Sequence, residues 1–150
     1  IERTGTTASA NGSITSIYTV LADGDDINSD PVVDTARAIL DGHIVLKREF
    51  AQQGIYPAID IVQSISRLMN DLVDDQHQKN AMQLRKLISK YQENRDLILM
   101  GGYVSGQDLD LDAALNSWGG ITEFLRQSAS ENFDFEVSVK LLSELIGYTR

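Results

Sequence analysis

The stretch Gly54-Ile55-Tyr56-Pro57-Ala58-Ile59-Asp60-Ile61-Val62-Gln63-Ser64-Ile65-Ser66-Arg67 decides how the chain is read. Apolar residues crowd around a proline, and a polar serine pair then delivers a single arginine. Pro57 sets its own φ and pushes Tyr56 towards extended backbone, so a helix before Gly54 ends there. Tyr56 and Arg67 lie eleven positions apart, at most roughly 36–40 Å of extended chain. The two side chains can therefore serve different faces of the molecule. Upstream of the stretch the pattern alternates strand and helix; downstream it is helical, with the boundary near Met69.

Outward to the N-terminal side, Lys47 to Gln53 reads as a short helix ended by Gly54, and His43 to Leu46 as a short strand. Asp41-Gly42 is a tight turn. Asp30-Pro31 signals a helix start, a capping carboxylate followed by proline at the first helical position. Val32, Val33, Ala36, Ile39 and Leu40 then fall at helical spacing. Ser13 to Leu21 carries β-formers on both faces, as in an interior strand covered on both sides. Ile1 to Gly12, rich in Thr, Ser, Ala and Gly, reads as a flexible lead-in. Asp23, Asp25, Asp26 and Asp30 place four carboxylates within eight residues. With no partner histidine they read as a solvated loop, not a cation site. His43 has no Cys, His or Glu at ligand spacing and reads as structural.

Outward to the C-terminal side, the spacing predicts a continuous helix from Asp74 or Asp75 to Gly101-Gly102, roughly 25 residues long at the ordinary helical period. Ala81, Leu84, Leu87, Ile88, Tyr91 and Ile98 line one face, while Lys79, Arg85, Lys86, Lys90 and Arg95 stand mostly off it as a solvated face. Asp108-Leu109-Asp110-Leu111-Asp112 alternates like a calcium loop, but Ala113 stands where that loop needs glycine and Gly119 where it needs glutamate. These aspartates read as caps for a short helix to Ser117. Trp118-Gly119-Gly120 reads as an interruption, after which Ile121 to Gln127 resumes. Phe135, Val139, Leu142 and Ile146 stripe a last helix.

The 150 residues carry a formal charge of −9 and no cysteine. An acidic chain has no net positive field to gather phosphates, which argues against a general nucleic-acid binder. Disulfides and thiolate metal sites are excluded, which fits a reducing cytoplasm. No apolar run approaches the ~20 residues of a membrane span. The first residue is Ile1, not methionine, and the chain reads as a piece of something longer. Nowhere does GxxxxGK[ST] occur, so a phosphate-cradling loop is missing as a motif.

The words Gly12-Ser13-Ile14-Thr15-Ser16, Tyr18-Thr19-Val20-Leu21, Gly24-Asp25-Asp26, Ile39-Leu40-Asp41-Gly42-His43-Ile44-Val45-Leu46, Tyr56-Pro57-Ala58-Ile59-Asp60 and Ser64-Ile65-Ser66-Arg67 occur in one order and spacing. Together with Asn94-Arg95-Asp96-Leu97-Ile98 and Phe124-Leu125-Arg126-Gln127, they resemble the flagellar and type III protein-export ATPases of the rotary ATP synthase α/β superfamily. The resemblance implies an α/β part followed by an all-α part. Residues 1–68 would be the C-terminal strands of a RecA-like P-loop core, and residues 69–150 a C-terminal helical domain.

The same resemblance implies that Arg67 is the arginine finger offered to the nucleotide of a neighbouring subunit in a hexameric ring. Tyr56 matches the aromatic that packs on the adenine of the subunit's own nucleotide, and Gln127 sits where some relatives line that pocket. ATP and Mg2+ are implied for the full-length protein and neither for this segment alone. Export chaperones, export substrates and stalk or regulator proteins are the implied partners, with no nucleic acid. The implied location is cytoplasmic, peripheral to the inner membrane. The Asp34 to Asp41 run leans flagellar over virulence secretion. The rival from another class is a stand-alone, non-catalytic adaptor that keeps this fold.

Overall fold

The computed structural model describes residues 5–6, 12–21 and 30–147. Two compact units divide the chain, residues 1–40 and 41–150. In the first unit, β1 (Gly5–Thr6) pairs antiparallel with β2 (Ser13–Ile14). This corrects the interior strand expected over Ser13 to Leu21: residues 15–21 form no regular structure, and Ile17 and Leu21 are 93% and 95% exposed. β-propensity describes a residue that fits a pleated, covered surface, and among the described residues only a two-residue partner is offered. Asp23, Asp25 and Asp26 lie outside the described residues.

Helix α1 (Pro31–Ile39) starts as its sequence directs, with the Asp30 carboxylate accepting from the N–H groups of Val32 and Val33. Of its apolar residues only Val33 is buried.

The second unit begins with β3 (Gly42–Leu46), α2 (Arg48–Gln52) and β4 (Ile59–Ser66), β3 and β4 being antiparallel. Gly54 ends α2 at φ 70°. Its N–H donates to Ala51 O while the N–H of Ile55 reaches back to Phe50 O. That is the Schellman closure, with buried Ile55 and Phe50 as its apolar pair. A left-handed residue is required there, which is why glycine ends the helix.

Four helices follow a short α3 (Met69–Leu72): α4 (Asp75–Glu93), α5 (Arg95–Leu99), α6 (Leu109–Leu125) and α7 (Phe135–Gly147). Asp74 caps α4 by accepting from the His77 N–H at 2.7 Å. The core joins Leu84, Leu87 and Ile88 of α4 to Ala114 and Ile121 of α6 and to Leu142 and Ile146 of α7. Tyr91 stacks on Trp118, with ring centroids 3.6 Å apart. The stripe read from the sequence is thus the core-facing edge of α4.

Two helix readings need correction. The helix expected to run unbroken to Gly101 stops at Asn94, whose φ of −106° and ψ of 7° leave the helical region. Its side-chain Nδ2 donates to Lys90 O at 2.9 Å, the local competition with helix that asparagine offers. Conversely, α6 runs straight through Trp118-Gly119-Gly120. A glycine inside a helix costs roughly 1 kcal/mol against alanine, and burial of Ala114 and Ile121, both 0% exposed, holds the turn in place. Gly120 has a packing reason, since a Cβ there would meet Leu145 Cδ1 at 3.0 Å. Gly119 has none, with open space where its Cβ would stand. Gly119→Ala is therefore expected to stabilise the chain by up to about 1 kcal/mol, read as a higher urea midpoint; an unchanged or lower midpoint would contradict it.

The basic face of α4 is not simply solvated. Lys86 pairs with Asp110 at 2.8 Å and Lys90 with Asp108 at 2.7 Å. Asp108 also caps α6 through the Asp110 and Leu111 N–H groups. The Lys90 hydrogen bond holds the Asp108 carboxyl below its ordinary value. Asp112 is likewise lowered, first by the hydrogen bond from the Gly106 N–H at 2.7 Å. The alternating aspartates act as caps and staples.

Amides of α4 are expected to exchange more slowly with solvent than those of residues 13–21, since one set is helix-bonded and core-packed and the other irregular and exposed. Hydrogen exchange in the reverse order would show that the first unit holds more structure than its contacts indicate.

Candidate functional site

The hairpin of β3 and β4 carries an irregularity that sets the site. Gly42 and His43 pair with Ser66 and Ile65, whereas Val45 and Leu46 pair with Asp60 and Ile59. Ile44 alone thus faces the four residues 61–64, a bulge with three surplus residues on β4. Surplus residues have no ladder partners, and buried N–H groups without acceptors are costly.

Asp60 supplies the acceptors. Its side chain is 1% exposed. Oδ1 accepts from the N–H groups of Val62 at 3.0 Å and Gln63 at 3.1 Å, and Oδ2 from Gln63 Nε2 at 3.1 Å. Lys47 Nζ lies 3.7 Å from Oδ2 and balances the charge. Ser64 Oγ donates to Asp60 O and accepts from the Val45 N–H at 3.0 Å. His43 Nε2 lies 3.1 Å from Gln63 O, which makes it a structural histidine of the bulge. From α4, Arg85 donates to Ser64 O at 2.8 Å, so this arginine ties helix to strand and is no part of a solvated face.

Beyond the bulge the ladder resumes and ends at Arg67, whose N–H donates to Asp41 O at 2.8 Å. Arg67 itself is exposed. At the other end of β4, the Tyr56–Pro57 peptide is cis. The Gln127 N–H donates to Tyr56 O at 2.6 Å. Tyr56 is 55% exposed. Gln127 sits just past α6, its side-chain Nε2 held by Glu131 O at 3.0 Å while the Glu131 carboxylate accepts from the Ser128 N–H.

The structure thus brings Tyr56 and Gln127 together across 71 positions of sequence (127 − 56), and sets Arg67 beyond the far end of the eight-residue β4. An exposed aromatic suits a flat heterocycle, on which it can stack. An exposed arginine suits a phosphate. Asp60, Ser64 and Arg85 were not singled out in the sequence as working residues. The Asp60-to-Gln63 spacing, an aspartate shortly before a polar residue in a strand-like run, is the signal of a side-chain turn that could have found the Asp60 hydrogen bonds, whereas Arg85 joins them only through the tertiary fold.

Among the described residues no group of three or more His, Cys, Asp or Glu could hold a metal ion. No helix of those residues is long and apolar enough to cross a membrane.

A family profile described as the ATP synthase alpha/beta family, nucleotide-binding domain, matches residues 1–66, and one described as the T3SS EscN ATPase C-terminal domain matches residues 73–144. A flagellum-specific ATP synthase of Salmonella typhimurium (strain LT2) is 48% identical over 142 residues, 95% of this chain and 31% of the relative. The SPI-2 type 3 secretion system ATPase of the same organism is 42% identical over 146 residues, 97% of this chain and 33% of the relative. Among solved structures, the assembled ATPase EscN with its central stalk EscO, from the enteropathogenic E. coli type III secretion system, matches with a TM-score of 0.84 at 39% identity. That match covers 97% of this chain and 34% of the other. The chain spans about a third of the length of the curated relatives it matches.

Proposed function

The chain belongs to the ATP synthase alpha/beta family, as the C-terminal portion of a flagellar or type III secretion ATPase, and from that premise we propose that it serves ATP hydrolysis coupled to protein export. In this reading residues 1–68 complete a RecA-like nucleotide-binding domain and residues 69–150 form the helical domain. The observation that carries it is the backbone hydrogen bond from the Gln127 N–H to Tyr56 O, which ties exposed Tyr56 to the end of α6 at the opposite end of β4 from Arg67. One chain then presents two different surfaces. Tyr56 and Gln127 pack on the adenine of the subunit's own nucleotide, and Arg67 reaches the phosphates of the nucleotide held by the next subunit in a ring. The EscN–EscO structure holds an assembled ATPase with its central stalk, and an assembly of that kind, with the ring it implies, is proposed here by likeness. The helical domain is proposed to dock export chaperones and substrates, with the complete ATPase working in the cytoplasm at the inner face of the membrane.

Phosphoryl transfer needs a phosphate cradle, a metal-holding acid and neutralisation of developing charge. This segment supplies only the last. Mg2+ is assigned to the complete ATPase by likeness to its family. The higher identity to the flagellum-specific relative favours the flagellar branch over virulence secretion.

By itself the chain is expected neither to hydrolyse ATP nor to bind it tightly, because stacking on Tyr56 contributes only about 1–3 kcal/mol. In a complete ATPase carrying this segment, Tyr56→Ala should weaken ATP binding by the corresponding roughly 5- to 150-fold and leave saturated turnover nearly unchanged. Calorimetry finding a micromolar ATP site on the segment alone, or unchanged affinity in Tyr56→Ala, overturns this assignment.

A further inference from the structure

The bulge in β4 stands between the fixed start of the hairpin and the arginine at its end. Its geometry sets the register in which Ser66 and Ile65 pair with Gly42 and His43, and hence where Arg67 leaves the sheet. A strand that slips by one residue turns every side chain to the opposite face. Three surplus residues could be absorbed in several ways, so something must select one. Asp60 is a buried carboxylate that the phosphoryl-transfer chemistry does not use, yet it accepts three hydrogen bonds from the bulge and one ion pair from Lys47. Ser64 bridges the same bulge to β3. Bulges next to working sites commonly re-aim a side chain.

We propose that Asp60 is a positioning residue for Arg67: its carboxylate selects the bulge conformation that delivers the arginine to the neighbouring subunit's nucleotide. This rests on the reading of Arg67 as a group acting in trans. Asp60 touches no nucleotide in this scheme. Its loss therefore slows the chemistry at the next subunit's site while its own subunit's adenine surface, at the other end of β4, stays intact.

The test uses a complete ATPase carrying this segment, with ATP as the probe. Asp60→Ala should lower single-turnover hydrolysis by about 10²-fold, the order expected for a displacement near 1 Å, with ATP affinity preserved. Asp60→Asn keeps an oxygen for the Val62 and Gln63 N–H groups and should recover most of the rate. Asp60→Ala subunits mixed with subunits lacking the upstream P-loop lysine should regain activity as Arg67→Ala subunits do, because an intact pocket then meets an intact arginine. If Arg67→Ala complements in the mixture and Asp60→Ala does not, or if Asp60→Ala lowers affinity and rate alike with asparagine no better, the positioning role is wrong and the reading of Arg67 stands. If Arg67→Ala neither slows hydrolysis nor complements, that reading fails and takes this inference with it. Should Asp60→Ala subunits not assemble, Ser64→Ala removes the other tie of the bulge and must show the same loss in trans; an unchanged rate in Ser64→Ala overturns the proposal.

Discussion

Arg67→Ala in a complete ATPase carrying this segment is expected to keep ATP affinity and to cut turnover by about 10³–10⁵-fold. The size follows from what a guanidinium does. It stays charged at any working pH and can pair two phosphate oxygens at once, so it stabilises charge that spreads over the transferring group only in the transition state. Binding of the ground state owes it little. Arg67 is exposed beyond the end of β4, its backbone held by Asp41 O, which is where a group acting outside its own subunit has to stand. Arg67→Lys should fall between, since it keeps a charge but loses the planar fork.

The competing account is that Arg67 pins the fold, in which case its loss lowers stability or blocks assembly and leaves the rate per assembled site unchanged. Mixed rings separate the two. Arg67→Ala subunits and subunits without the P-loop lysine are each inactive alone, and activity should partly return when they assemble together. Single-turnover hydrolysis is the right readout, because it does not require every site of the ring to fire. Mixed rings that form and stay dead at every ratio in that assay rule out the in-trans role.

The second large effect concerns stability. Ile121→Ala is expected to cost about 2–5 kcal/mol, a large share of the roughly 5–15 kcal/mol that holds a domain together. Ile121 is 0% exposed and sits in the core shared by α4, α6 and α7. Its removal leaves a cavity that three packed helices close only in part. It also strips α6 of the burial that offsets two adjacent glycines, so the last turns of that helix should loosen. Gln127, just past the end of α6, would then lose its hold on Tyr56 O. Trp118, the only tryptophan, stacks on Tyr91 and reports α4–α6 packing directly by fluorescence. With a urea slope of about 1–3 kcal/mol per molar, the midpoint should fall by on the order of 1 M or more. Leu99→Ala serves as the control: at 69% exposure it should shift stability by no more than about 0.5 kcal/mol. Equal effects in the two variants would mean that the helical core is not where the structure puts it.

What the sequence determined by itself is whatever short-range chemistry settles. Asp30 before Pro31, Asp74 before α4 and Asp108 before α6 cap their helices as read, because a side-chain oxygen and an N–H two or three residues on meet through local geometry alone. Gly54 and Gly101 end helices at φ 70° for the same kind of reason. The α4 stripe of Leu84, Leu87 and Ile88 announced its buried face through helical period. Tertiary structure decided the rest. Gly119-Gly120 breaks a helix on propensity and sits inside one here, since burial of Ile121 outweighs the propensity cost. Ser13 to Leu21 reads as an interior strand, yet a strand exists only where a partner pairs with it, and among the described residues of this stretch only Ser13–Ile14 has one. Arg85 looked like one more solvated cation until Ser64 O met it from β4. Asp60 is the sharpest case. Nothing within its local run says that its carboxylate will be buried, because burial comes from packing distant parts of the chain around it. Tyr56 and Gln127 meet for that same reason, since contacts across such a separation are selected by the packed fold and leave no periodic trace in the residues between.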